Sequence, residues 1–193
     1  MDLIDGRRPV SATLDDHWDL SRSTSRRFIQ LIEAGVDYVK IGVNGRYVED
    51  SLITSLRAVS AYKPVVIAVC MAEQPPRRSD IARLAASGIV GIMLDTREKS
   101  GPSLTQLLDV EELVAFVEIG RELGLLTGLA GRLRVEDVPI VKLSNADYIG
   151  FRSALCPQGH RDSRCAPEAI ARVREAMRTK LCTSKPHKDS EVA

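Results

Sequence analysis

Short runs dense in apolar and β-branched residues recur along the chain, at Pro9–Thr13, Tyr38–Val43, Val65–Met71, Ile89–Asp95, Leu125–Ala130 and Tyr148–Arg152. Their near-continuous hydrophobicity predicts strands of a parallel sheet covered by helices. Between them the apolar positions take helical spacing. Arg26–Ala34 carries Phe28, Ile29, Leu31 and Ile32 and stops at Gly35; Ile81–Ala86 stops at Gly88; Glu111–Leu123 stops at Gly124. A glycine just past a helix adopts the left-handed conformation at no steric cost and ends it. Asp109 followed by Glu112 reads as a capping box, and Pro167 suits the first turn of a last helix ending at Met177. One phrase repeats where helix meets strand: Gly35-Val-Asp-Tyr-Val39 and Asn145-Ala-Asp-Tyr-Ile149. The pattern predicts a βα array of about six units, which a doubly wound sheet accepts and an eight-unit barrel exceeds by two. Residues 1–178 read as a single domain. Residues 179–193 are polar and unpatterned and read as a disordered tail.

Composition narrows the function classes. The 193 residues are 44% hydrophobic, and 27 Lys and Arg balance 26 Asp and Glu to a net charge of +1. No basic excess marks a nucleic-acid partner, and aromatics at 4% offer few stacking platforms. The longest apolar run, Pro64 to Ala72, is far short of the roughly 20 residues of a membrane helix. The N-terminus has no apolar segment of the signal-peptide kind. A cytoplasmic enzyme without membrane or nucleic-acid partners is expected. Cys70, Cys156, Cys165 and Cys182 form no CxxC pair and read as free thiols. Cys156, His160 and Cys165 are close in sequence, but their spacing fits no zinc pattern, so no metal is expected. The glycine-rich dinucleotide fingerprint is absent, and no organic cofactor is implied.

Alternation along the strands places the candidate chemistry. In Tyr38–Val43 the set Val39, Ile41 and Val43 faces the helices, which turns Tyr38, Lys40 and Gly42 to the opposite face. A lysine there is either buried against a carboxylate or, through desolvation and neighbouring charge, a base or nucleophile. In Ile89–Asp95 the same alternation turns Gly91, Met93 and Asp95 inward, and Lys99 follows Asp95 within one loop. Gly128-Leu-Ala-Gly131-Arg132 and Gly150-Phe-Arg152-Ser153 combine small residues, whose amides can approach an anion, with an arginine. Loops after late barrel strands are the usual phosphate cradle. Ser11 and Thr13, inward on the first strand, are placed to orient a substrate hydroxyl.

In order, Val10-Ser-Ala-Thr13, Asp37-Tyr-Val-Lys-Ile-Gly42, Met93-Leu-Asp-Thr96 with Lys99 and Gly101, Gly124-Leu-Leu-Thr-Gly-Leu-Ala-Gly131 and Gly150-Phe-Arg152 resemble the (5-formylfuran-3-yl)methyl phosphate synthase family. The resemblance covers about Pro9 to Met177. It implies a TIM-type (β/α) barrel in methanofuran biosynthesis, a class I aldolase-like lyase. Such enzymes join two molecules of glyceraldehyde 3-phosphate into a furan aldehyde phosphate, losing water and one phosphate. By position Lys40 matches the family's proton-accepting lysine, and Asp95 with Lys99 its acid–lysine pair. The family's Schiff-base lysine lies in an Asp-x-Lys stretch. Here Asp2-Leu-Ile-Asp-Gly-Arg7 echoes that stretch only faintly, and arginine forms no imine. The expectation is therefore an N-terminally shortened barrel lacking the first two βα units.

The reading that results makes Lys40, Asp95 and Lys99 catalytic. Ser11, Thr13, Gly131, Arg132, Gly150, Arg152 and Ser153 hold a phosphorylated small molecule. Open parallel edges lead to the expectation of a homo-oligomer. Two alternatives stand beside it: another class I aldolase whose Schiff base forms on Lys40, and a non-catalytic phosphosugar-binding homologue.

Overall fold

The structure, a computed structural model, describes residues 8–15, 22–43, 48–63, 65–98, 100–156 and 163–179. The faint Asp2–Arg7 echo, Lys99, His160 and the tail from residue 180 lie outside the described residues.

Strands β1 (Ser11–Asp15), β2 (Tyr38–Val43), β3 (Val66–Met71), β4 (Gly91–Asp95), β5 (Leu126–Leu129) and β6 (Tyr148–Ile149) alternate with helices. The helices are α1 (Arg22–Glu33), α2 (Asp50–Tyr62), α3 (Arg78–Ala85), the short α4 (Leu104–Leu107), α5 (Val110–Glu122), α6 (Val138–Leu143) and α7 (Pro167–Arg178). Among the described residues the strands form one sheet, every pair parallel, in the order of the sequence. A doubly wound sheet reverses its strand order at a switch point; this one never does. The result is a six-stranded parallel half-barrel.

Helices α1 to α6 share one face. Val39, Ile41, Val66, Ala68, Ile92, Leu94 and Leu129 form a single core with Phe28, Leu56, Ile81, Leu84, Leu113 and Val117 from the helices. The other face carries a separate small cluster, Ile67, Val69 and Met93, to which no helix contributes among the described residues. Tyr38 on β2 and Tyr148 on β6 both pack against that cluster, so the sheet curves around it.

The punctuation is as the sequence predicts. Gly35, Gly88 and Gly124 take φ of 82°, 87° and 72° at helix ends. The Asp109 carboxylate accepts from the Glu112 amide at 2.8 Å, while the Glu112 carboxylate accepts from the Asp109 amide at 2.9 Å. The last strand is shorter than the expected Tyr148–Arg152, because the chain leaves the sheet at Gly150.

Candidate active site

Register assembles the inner face rung by rung. Ser11 stands opposite Tyr38, and Thr13 opposite Lys40. Lys40 in turn opposes Ile67, and Ile67 opposes Gly91. The next inner rung is Gly42, Val69, Met93, Gly128 and Tyr148. Asp95 ends β4 opposite Met71, one rung higher. The alternation argument thus puts Ser11, Thr13, Lys40 and Asp95 on the helix-free face. They stand at different heights: Asp95 closes its strand, whereas Lys40 is the third residue of a six-residue strand. In register, the rung of Lys40 meets β4 four residues before Asp95, about 13 Å along the strand. Lys40 is half-buried, with Thr13 exposed beside it.

The loops at the strand C-terminal ends interlock. The Thr96 amide donates to Asp95 Oδ1 at 2.7 Å, fixing that carboxylate at the lip of the sheet. Gly131, with φ of 116°, lies so close to this turn that a Cβ there would fall 2.7 Å from Thr96 Cγ2. Its carbonyl accepts from the Leu104 amide at 2.9 Å. Arg132 follows with φ of 52°, a left-handed backbone rare for arginine. Its side chain lines a pocket of about 260 Å³ with Ser103, Gln106, Arg134, Glu136 and Asp137. The hydroxyl of Thr105 donates to Asp137, and the Arg134 amide donates to the same carboxylate. Arg132 therefore belongs to a mixed-charge pocket beside α4, a neighbourhood the sequence pattern did not announce.

Gly150 sits against Ala130, its amide donating to the Leu129 carbonyl at 2.8 Å. Arg152 is exposed, and its guanidinium donates to Cys165 Sγ at 3.5 Å. Ser153 begins a 3-10 turn, Ser153–Leu155. The Cys156 thiol donates to the Ser163 carbonyl at 3.7 Å. Among the described residues no three His, Cys, Asp or Glu side chains gather as metal ligands would. No described helix is long and apolar enough to cross a membrane.

Alternation places Tyr38 on the inner face, but Tyr148, which packs on the same cluster, is an inner-face residue that reasoning from charge and spacing does not find. The signal was the repeated phrase. In both copies the residue ending the helix has positive φ (Gly35 at 82°, Asn145 at 57°). In both, the following aspartate reaches the neighbouring strand: Asp37 accepts from the Val10 amide at 2.7 Å, and Asp147 from the Thr127 amide at 2.7 Å. In both, the next residue is a tyrosine that opens the strand and packs on the inner cluster. Partial burial pushes the Asp147 carboxyl up, but hydrogen bonds from Thr127 and the nearby Arg121 more than offset this and hold it below its ordinary value.

Gly128 is the seat of one of these tyrosines. A Cβ there would fall 2.2 Å from Tyr148 Cζ and 2.5 Å from its Oη. The expected role of the Gly128–Gly131 segment, amides approaching an anion, is thus not what requires glycine at 128.

The 4-HFC-P synthase family profile matches residues 1–174. The chain is 33% identical over 175 residues to the (5-formylfuran-3-yl)methyl phosphate synthase of Methanopyrus kandleri, across 84% of this chain and 73% of that protein. To the synthase of the same name from Methanothermobacter thermautotrophicus it is 31% identical over 179 residues, across 87% and 76%. Among solved structures it is similar to 3-hexulose-6-phosphate synthase (TM-score 0.57, 17% identity, 87% of this chain and 73% of that one). It is also similar to 3-keto-L-gulonate-6-phosphate decarboxylase from Vibrio cholerae (TM-score 0.58, 15% identity, 91% and 76%). At those identities the likeness is one of fold, that of TIM-barrel-like aldolases and decarboxylases.

Proposed function

The chain belongs to the 4-HFC-P synthase family, and from that premise we propose that it condenses two molecules of glyceraldehyde 3-phosphate into a furan aldehyde phosphate. The observation that carries the reading is the helix-free inner face, where Lys40 stands beside Thr13 and Asp95 closes β4. Lys40 lies between the buried Val39 and Ile41 on its own strand, with its side chain on the face that the helices leave open. In this reading Lys40 removes the proton next to the aldehyde carbon. Asp95 and Lys99 handle the protons of dehydration, and Ser11 and Thr13 orient hydroxyls. Gly131, Arg132, Gly150, Arg152 and Ser153 hold phosphate, and no organic cofactor takes part.

Incubation with glyceraldehyde 3-phosphate in D2O tests this. Expected are saturable binding, deuterium uptake at C2 and a furan aldehyde phosphate detected by mass. Lys40→Met should slow the exchange by about 10²- to 10⁴-fold, the usual worth of a positioned base. Arg132→Ala and Arg152→Ala should weaken binding by one to two decades. Absence of both exchange and product would overturn the reading. Borohydride trapping that maps an adduct to Lys40 would instead make Lys40 the imine-forming residue of a different class I aldolase.

A further inference from the structure

The Tyr148 hydroxyl is out of contact with solvent and has no hydrogen-bond partner, a condition it shares among the described side chains only with Ser60. Ser60 lies on α2, on the helix side, with its Cβ close to Gly88. Tyr148 lies on the inner face. A buried hydroxyl without a partner forfeits its hydration for nothing in return, and such groups in folded proteins call for an explanation. Packing alone would be served as well by phenylalanine.

Four further observations bear on what the hydroxyl is for. Gly128 leaves room for the hydroxyl end of the ring to lie flat on β5, and any larger residue would evict it. Register places the ring beside Gly128 and Met93, and Met93 precedes Asp95 by two residues on the same face. The hydroxyl therefore sits on the floor of the inner face, about 7 Å of strand rise below the Asp95 rung. Burial, with the Asp147 carboxylate and Tyr38 adding to it, pushes the phenol pKa up, so the group stays a donor at every working pH. Tyr38, Met71 and Ala130 pack on the same cluster and are all half-buried. Of these, unbranched Met71 is best able to shift for a ligand.

We propose that Tyr148 is a substrate-binding residue whose hydroxyl donates a hydrogen bond to the aldehyde or hydroxyl oxygen of a triose phosphate on the inner face, and that Gly128 is present to seat it. The inference rests on the reading under Proposed function and adds to it a neutral donor that charge and motif spacing do not reveal. The hydroxyl is desolvated in advance, so a ligand oxygen gains a partner that water does not contest.

Tyr148→Phe tests it, because the ring stays over Gly128 and only the oxygen is lost. The melting temperature is expected to hold or rise, since an unmade hydrogen bond disappears, while affinity for glyceraldehyde 3-phosphate falls roughly tenfold. Ethyl phosphate keeps the phosphate and lacks both other oxygens, so wild type and variant should bind it equally. Gly128→Ala, which displaces the ring, should show the same loss toward glyceraldehyde 3-phosphate. A melting temperature several degrees lower in Tyr148→Phe would mean that the hydroxyl has an internal partner, and would overturn the proposal. So would an affinity for glyceraldehyde 3-phosphate within twofold of wild type. Failure of the wild type itself to bind glyceraldehyde 3-phosphate overturns the reading this rests on, and the ligand assignment with it. Wild-type binding that the Tyr148→Phe substitution leaves unchanged overturns this inference alone.

Discussion

At the scale of single residues, position in the sheet decides reactivity more than residue type does. Cys70 stands on β3 next to the loops of the candidate site, yet its side chain faces the helices and is fully buried. Burial first, and the Asp80 carboxylate second, push its thiol up to about 12. The thiolate is the reactive form, so at pH 8 Cys70 is inert. Native-state alkylation followed by peptide mapping should label half-buried Cys165 well ahead of Cys70, with Cys70 reacting only on unfolding. Equal labelling rates would mean that β3 is accessible from the helix side. Gly128 and Gly131 teach the same lesson. The sequence treats them as one anion-binding phrase, whereas Gly128 makes room for a ring and Gly131 for a left-handed turn against Thr96.

Elements were legible where one device dominates. The span of β2 matches the apolar run Tyr38–Val43 residue for residue, and the glycine stops and the Asp109–Glu112 box mark α1, α3 and α5. Helix α2 was not legible. Its sequence holds Ser51, Thr54, Ser55 and Ser60, types that compete with the helix for backbone hydrogen bonds. Here Thr54 and Ser55 turn that tendency inward, donating to the carbonyls of Asp50 and Ser51 one turn back, at 2.9 and 2.6 Å. Burial of Ile53 and Leu56 against the sheet does the rest. The paired Asp–Tyr phrase is visible as a repeat, but its function as a clasp between neighbouring strands shows only in the folded chain. Asp147→Ala removes the clasp between β5 and β6, and about 1 kcal/mol of stability should go with it at pH 7, the modest value fitting a half-exposed carboxylate. Because the folded carboxyl titrates below its ordinary value, the unfolded chain takes up the proton first as pH falls. The contribution is complete above the unfolded value near 4 and fades below it. Urea denaturation from pH 7 downward should therefore show wild type and Asp147→Ala converging; a gap independent of pH would assign the loss to something other than the charge.

Across the whole molecule, strand order equals chain order, and the best-connected strands lie in the middle. β3 is paired on both sides along its length, whereas β6 contributes two residues at one end. Native-state hydrogen exchange should find the slowest amides in Val66–Met71 and Gly91–Asp95 and the fastest ladder amides at Tyr148 and Ile149. Slow exchange in β6 would contradict that gradient. The same order has a meaning for how the chain is made. Among the described strands none has to be inserted between two others already paired, so each βα unit, on leaving the ribosome, meets a finished edge formed by the unit before it. Synthesis and assembly can run in the same direction, one strand at a time, with each loop closed over a short length of chain.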